Sequence, residues 1–356
     1  MPMGFPLLNR SILDSGVDDR NPLLITMVIY PIRVYTGSMT LWRTPPSWSI
    51  RRKEVPMSKI GACLWFDNSA EEAAAFHTSV FSHSRITAVT RYTTAGQEFH
   101  GRPPGSVMTV AYEIDGFSFT ALNGGPHFAP SPSVSFFVRC EREEQVDRLW
   151  ELLSPEGSVL MPLGAYPFNQ RYGWIEDRFG VSWQLIVAPP APRIVPCLLF
   201  VGDVCGKAEE AMKFYASVFD NSTVGDIARY GADQPPDREG TVMYGECRLA
   251  GQTVIAMDSA QDHAFTFTEG VSLIVDATSQ AEIDTVWNAL SAVPEAEQCG
   301  WLKDRYGLSW QVVPEAELNQ MLQDPDEERV IRVLNAMFPM KKIDLAELRR
   351  AAGGVR

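Results

Sequence analysis

The chain repeats itself in order, and no other feature of its sequence limits the fold so tightly. Residues 70–81 read AEEAAAFHTSVF and residues 208–219 read AEEAMKFYASVF, identical at 8 of 12 positions and offset by 138. A second block, GWIEDRFGVSWQ at 173–184, returns as GWLKDRYGLSWQ at 300–311, again at 8 of 12 and offset by 127. Between these blocks Arg91-Tyr92 matches Arg229-Tyr230, Val107-Met108 matches Val242-Met243 and Trp150 matches Trp287. Self-similarity that keeps its order along the chain is the mark of a duplicated structural unit.

The unit is about 130 residues long, a usual domain size. It runs over 57–189 and again over 193–314. Between the copies stands APPAP at 188–192. Consecutive prolines hold the chain extended and cannot enter a sheet interior, so residues 190–192 are read as a stiff linker. Residues 1–56 have no counterpart in the repeat, and Met57-Ser58-Lys59-Ile60 looks like a natural start. The extension is therefore expected to be poorly ordered or a miscalled start. Apolar residues make up 45% and charged residues 21%, the balance of a folded protein. A formal charge of −13 argues against nucleic acid and anionic membranes as partners.

The six cysteines, Cys63, Cys140, Cys197, Cys205, Cys247 and Cys299, are far apart and form no C-x-x-C pair. A chain of this length needs no disulfide staples, so they are read as reduced and mostly buried thiols. The apolar run at 23–30 is cut by Pro31 and Arg33, well short of the roughly 20 residues that span a bilayer. With no secretory pattern either, the expected location is cytoplasmic.

Within the first unit, residues 60–66 suit a buried strand, and Ser69 with Glu71 and Glu72 signals a helix start. On that helix Ala70, Ala73, Ala74, His77, Val80 and Phe81 share one face. Strands follow at 85–92, 107–114 and 117–122, the last two joined by Asp115-Gly116, a strong hairpin signal. The order is βαβββ. A strand at 134–138, a helix at 143–153 and strands near 172–176 and 181–187 repeat it less completely. Each unit thus holds two modules.

The series CLWFDNSAEEAAAFHTSVF, VMTVAYEIDGFSFTALNGGPHF and DRFGVSWQLI, with the tail MKKIDLAELRR after the second copy, resembles the PhnB-like branch of the vicinal oxygen chelate (glyoxalase, bleomycin-resistance and dioxygenase) superfamily. Members often carry the label 3-demethylubiquinone-9 3-methyltransferase. The resemblance covers most of residues 57–352. It implies an α+β fold of two tandem glyoxalase-like domains, each of two βαβββ modules forming an open cup of mainly antiparallel strands that holds a ligand.

Metal-dependent relatives place two histidines and two glutamates on strands, one in each quarter. The matching positions here are Ala62, Ser133 and Gln184, then Pro196, Gly270 and Gln311, with the remaining ones near Tyr112 or Glu113 and at Glu246. Only five histidines exist, His77, His83, His100, His127 and His263, and none pair at a metal-binding spacing. No metal and no cofactor are expected. A glycine-rich turn for S-adenosylmethionine is also missing from the sequence, which argues against methyl transfer.

The candidate ligand-binding residues fall in pairs. His127 and His263 sit on the same loop of each copy, beside Asn123 and Asp258. A repeated imidazole can bind an anion or pass a proton, although an exposed loop histidine is the ordinary alternative. Gln184 and Gln311 lie on the strand face opposite Trp183 and Trp310 and can orient a polar ligand, or merely satisfy nearby backbone groups. Tyr112 and Glu246 complete the polar set. Trp65, Trp174 and Trp301 can wall a flat ligand or pack under a helix, and Asp177-Arg178 and Asp304-Arg305 are read as hairpin braces.

Residues 315–356 read as amphipathic helices that dock on a partner surface. The two copies are expected to form an intrachain pseudo-dimer, with a further homodimer possible. The leading reading is a protein that binds a small molecule in a metal-free cup. Alternatives are a metal-dependent lyase or dioxygenase, a methyltransferase, and an interaction module whose cups are filled by their own side chains.

Overall fold

A computed structural model of the chain describes residues 60–188 and 193–353. Residues 1–56 and most of the proline linker lie outside the described residues. Four modules follow in order. The first has β1 (Ile60–Phe66), α1 (Ala70–Val80), β2 (Ser84–Arg91), α2 (Gln97–His100), β3 (Val107–Ile114) and β4 (Phe117–Asn123). The second has β5 (Val134–Cys140), α3 (Glu143–Leu153), β6 (Ser158–Tyr166), β7 (Asn169–Glu176) and β8 (Ser182–Val187). The third has β9 (Ile194–Phe200), α4 (Ala208–Val218), β10 (Thr223–Arg229), β11 (Val242–Leu249) and β12 (Gln252–Asp258). The fourth has β13 (Val271–Asp276), α5 (Gln280–Leu290), β14 (Trp301–Lys303) and β15 (Ser309–Val313). Three tail helices complete the chain, α6 (Glu315–Leu322), α7 (Glu327–Met337) and α8 (Leu345–Gly353).

Each copy gives one module to each sheet. The seven-stranded sheet runs β14-β15-β13-β1-β4-β3-β2, and the eight-stranded sheet runs β10-β11-β12-β9-β5-β8-β7-β6. Copy one meets copy two at antiparallel seams, where Ile60 pairs with Val275 and Val134 with Leu198. The α+β class and the doubled module stand, but a sheet is not contained within one copy. The seam itself explains this: β1 and β13 are short, mostly buried strands whose free edges satisfy each other's backbone groups.

Local signals act as the sequence predicts, with one exception. Asp115 and Gly116 both have positive φ, 48° and 83°, which the tight β3–β4 hairpin requires and which glycine adopts without steric cost. Ser69 stands at the start of α1 but its side chain makes no cap bond. Asn123 Oδ1 instead accepts the Ala70 amide at 2.9 Å, so a strand end in the same sheet caps the helix.

The helix-bearing faces of the two sheets share one core. Phe119 of β4 and Phe136 of β5 stand 4.9 Å apart between ring centroids, and Trp183 packs beside both. His77 on α1 reaches Asp177 in the β7–β8 hairpin at 2.7 Å. Trp183 and Trp310 are fully buried, and their indole N–H groups donate to Asp177 (2.8 Å) and Asp304 (2.9 Å). The tail docks on the chain's own surface. Met340 and Lys341 carbonyls accept the Cys299 and Gly300 amides beside β14, and α6 packs against β2 and β13 of the seven-stranded sheet.

Candidate functional site

Alternation along each strand sends one residue to the shared core and the next to the opposite, inward-lined face. In the seven-stranded sheet that second face bears Cys63 and Trp65 from β1, Thr109 from β3, Thr120 and Leu122 from β4, and Gln311 and Val313 from β15. Together with Phe338 of the tail they line a cavity of about 1060 Å³. Gly96, with φ of 67°, lets the chain pass close to the Phe338 ring: a Cβ there would stand 2.5 Å from it.

Inside the cavity Gln311 Nε2 donates to Ser272 Oγ at 3.0 Å. Thr120 Oγ1 donates to Glu315 Oε1 at 2.7 Å. Burial pushes the Glu315 carboxyl above its ordinary range, the Thr120 hydroxyl pulls it down, and Asp276 pushes it up. Trp65 meets Phe128 and Trp301 edge to face at 5.1 and 5.8 Å, and its indole N–H is fixed on the Gly125 carbonyl at 2.8 Å.

The equivalent face of the eight-stranded sheet is filled. Phe137, Met161, Tyr172, Trp174, Cys197, Leu199, Ile255 and Met257 form a buried cluster there, with Tyr166, Phe168 and Tyr244 packed against it. Gln184 is 4% exposed; it donates to Ser135 Oγ at 2.8 Å and accepts from Tyr172 Oη at 2.6 Å. Glu246 pairs with Arg139 and Tyr244.

Of the nine residues singled out by sequence, Trp65 and Gln311 meet in the open cavity, and Gln184 and Glu246 lie on the filled face. The other five are placed elsewhere. Tyr112 turns to the core, where its hydroxyl is 2.9 Å from His77 Nδ1. Asn123 caps α1 and holds the Val107 carbonyl. Asp258 does the same in copy two, accepting the Gly206, Ala208 and Val242 amides. His127 is exposed and lines neither face. His263 hydrogen-bonds Ser259 at 2.8 Å and stacks on Phe265 at 4.8 Å, and burial lowers its pKa. Sequence reasoning missed Cys63, Thr120 and Glu315. Cys63 and Cys197 recur at offset 134, a signal that was present.

Metal-ligand positions were read one residue off register on the leading strands. Ala62 and Pro196 face the core, whereas Cys63 and Cys197 face inward. The donor set does not fit a divalent ion. Two neutral glutamines, Gln184 and Gln311, stand where carboxylates would be needed, and each is already bonded to a serine hydroxyl. Among the described residues no group of three His, Cys, Asp or Glu side chains converges on a point.

Modules of this order, paired so that a first strand lies parallel to the last strand of its own module, define a tandem vicinal oxygen chelate fold of the glyoxalase type. The chain matches the family described as 3-demethylubiquinone-9 3-methyltransferase twice, over residues 58–186 and 192–313. It belongs to that family. Among solved structures it is similar to a Bacillus cereus protein described as a putative 3-demethylubiquinone-9 3-methyltransferase, PhnB protein. The identity is 37%, over 36% of this chain and 98% of the other, with TM-score 0.33. A Staphylococcus aureus protein is 32% identical over 37% and 98%, with TM-score 0.16. Glyoxalase I from Zea mays is 10% identical over 74% and 94%, with TM-score 0.46. No curated protein matches the chain.

Proposed function

We propose that this chain binds a small organic molecule in the cavity of the seven-stranded sheet, without a divalent ion at its centre, while the eight-stranded sheet supports the fold. The observation that carries this reading is the contrast between equivalent faces, one enclosing about 1060 Å³ and the other packed with its own side chains. Apolar walls with a few convergent polar groups are the usual form of a small-molecule site. In this reading Trp65 and Trp301 supply the walls, and Gln311, Thr120 and Glu315 orient the ligand. Sequestration needs no catalytic base, which agrees with a face that offers neutral glutamine.

Native mass spectrometry of the purified chain tests this. A copurifying small molecule that is lost in Leu122→Trp, which fills the cavity, is the expected result; a ligand retained by that variant overturns the assignment. The family's name makes methyl transfer a second reading, and calorimetric titration with S-adenosylmethionine supports it by saturable binding. A stoichiometric divalent ion after mild purification would instead favour a lyase or dioxygenase. The tandem copies form a pseudo-dimer within the chain, so the proposed solution state is a monomer, checked by sedimentation. Among the described residues no helix is long and apolar enough to cross a membrane, and unpaired cysteines fit the proposed cytoplasmic location.

A further inference from the structure

The residues lining the cavity carry no lysine or arginine, yet include Glu98, Glu269, Glu295 and Glu315. Glu269 is taken by Lys303 at 2.9 Å. Glu98 and Glu295 are exposed at the rim. Glu315 lines the cavity half-buried, and among the described residues its carboxylate has one hydrogen bond, from a neutral hydroxyl. Removing a carboxylate from water without a positive partner is costly, and proteins usually pair such a group.

The other sheet shows how the same framework meets that requirement. There the inward carboxylate, Glu246, is paired with Arg139. By the strand matches of the repeat, Arg139 corresponds to Asp276 and Glu246 to Ala111. At the position of that guanidinium this sheet carries an acid, Asp276, which accepts the Ala316 amide at 3.4 Å behind the cavity wall and raises the Glu315 carboxyl further. Glu315 also stands in the first turn of α6, where the positive end of the helix dipole favours an anion. Trp65 meets Phe128 and Trp301 edge to face, which makes an apolar wall for the body of a ligand.

Resting on the small-molecule reading, we propose that this cavity selects an organic cation, its charged head beside Glu315 and its apolar body against Trp65, Phe128 and Trp301. The missing guanidinium of this sheet is supplied by the ligand.

The test titrates the full chain with benzyltrimethylammonium, neutral benzyl alcohol and anionic phenylacetate, followed by tryptophan fluorescence. The cation is expected to bind at least about tenfold tighter than either comparison probe. Glu315→Gln should remove that preference by weakening the cation at least about tenfold more than benzyl alcohol. Asp276→Arg, which restores the internal cation, should remove it as well and serves if Glu315→Gln does not fold. Equal binding of all three probes, or a preference that survives both substitutions, overturns the proposal. If benzyl alcohol binding persists and is abolished by Leu122→Trp, a small-molecule site remains and only its charge selectivity is refuted. Absence of binding by every probe overturns both readings.

Discussion

Removal of the Asp177 carboxylate tests whether the hairpin brace joins the two sheets. Asp177 accepts four donors: His77 Nε2 at 2.7 Å, Trp183 Nε1 and the Phe179 amide at 2.8 Å, and the Val181 amide at 3.1 Å. In Asp177→Ala, three well-buried donors lose their acceptor at about 1–3 kcal/mol each, so the expected loss is about 5 kcal/mol after some water enters. Asp177→Asn keeps an oxygen for the two backbone amides. His77 adapts by moving its proton to Nδ1 and donating to Tyr112, which leaves a single donor-donor conflict with Trp183, about 1–3 kcal/mol.

Urea unfolding followed by fluorescence measures both variants. With a slope of about 3 kcal/mol/M, Asp177→Ala should lower the midpoint by roughly 1.7 M and Asp177→Asn by about 0.3–1 M. A single transition is expected, because each sheet contains strands of both copies. Burial pushes the Asp177 carboxyl upward, but hydrogen bonding and charge from His77, then Trp183 and Phe179, outweigh it and hold the pKa below the usual range. The brace thus stabilises the fold above the unfolded aspartate pKa and is lost as pH falls through the depressed value. Asp304, with Tyr215 in place of histidine, is raised by burial, so its contribution has the opposite sign: it is present in acid and lost as pH rises through the folded value. Asp177→Asn should therefore flatten the acid limb of the stability profile, and Asp304→Asn should not. An alanine variant within 1 kcal/mol of wild type, or an asparagine variant as damaged as alanine, refutes the reasoning.

Three further outcomes follow from the same contacts. Gly96→Ala places a methyl group against Phe338 and forces a left-handed backbone on alanine, so trypsin should release the tail helices at least about tenfold faster at a cost of about 1–2 kcal/mol. Cys63, Cys140, Cys197 and Cys247 are buried with raised pKa values, so thiol reagents should label them only after unfolding; rapid native labelling of Cys63 would show that the cavity admits bulk solvent to its floor. Arg139→Ala leaves the Glu246 carboxylate without its cation on the filled face, and the expected loss is about 1–3 kcal/mol by thermal unfolding with no change in ligand binding.

The doubled βαβββ order, most strand and helix bounds and the core positions of Trp183 and Trp310 were legible because they rest on periodicity and local turn chemistry, but β6 was not read. Strand exchange between copies was not, since seams such as Ile60 with Val275 join residues far apart in sequence that carry no local mark. The face of Tyr112 was uncertain for a related reason. One residue of register separates the core from the cavity, and His77, which claims its hydroxyl, lies on a helix packed from the other side.

One fact about the site was present in the sequence in numerical form. Trp150 matches Trp287 at offset 137, yet Gly173 matches Gly300 at offset 127, so copy two lacks ten residues between these points. In copy one that interval holds the nine-residue strand β6. From it Met161, with Leu160 and Tyr166 beside it, fills the face of the eight-stranded sheet. Where the strand is lost, the tail covers the exposed edge of β14 instead, and its carbonyls take the Cys299 and Gly300 amides. Helices cannot send alternate side chains into the cup as a strand does, so the space stays open, and α6 brings Glu315 to it. The ten-residue difference and the tail together account for one face being filled while the other stays open. Replacing residues 291–299 by residues 154–172, nine residues by nineteen, should therefore restore a packed face and abolish uptake of the proposed ligand while the protein still folds.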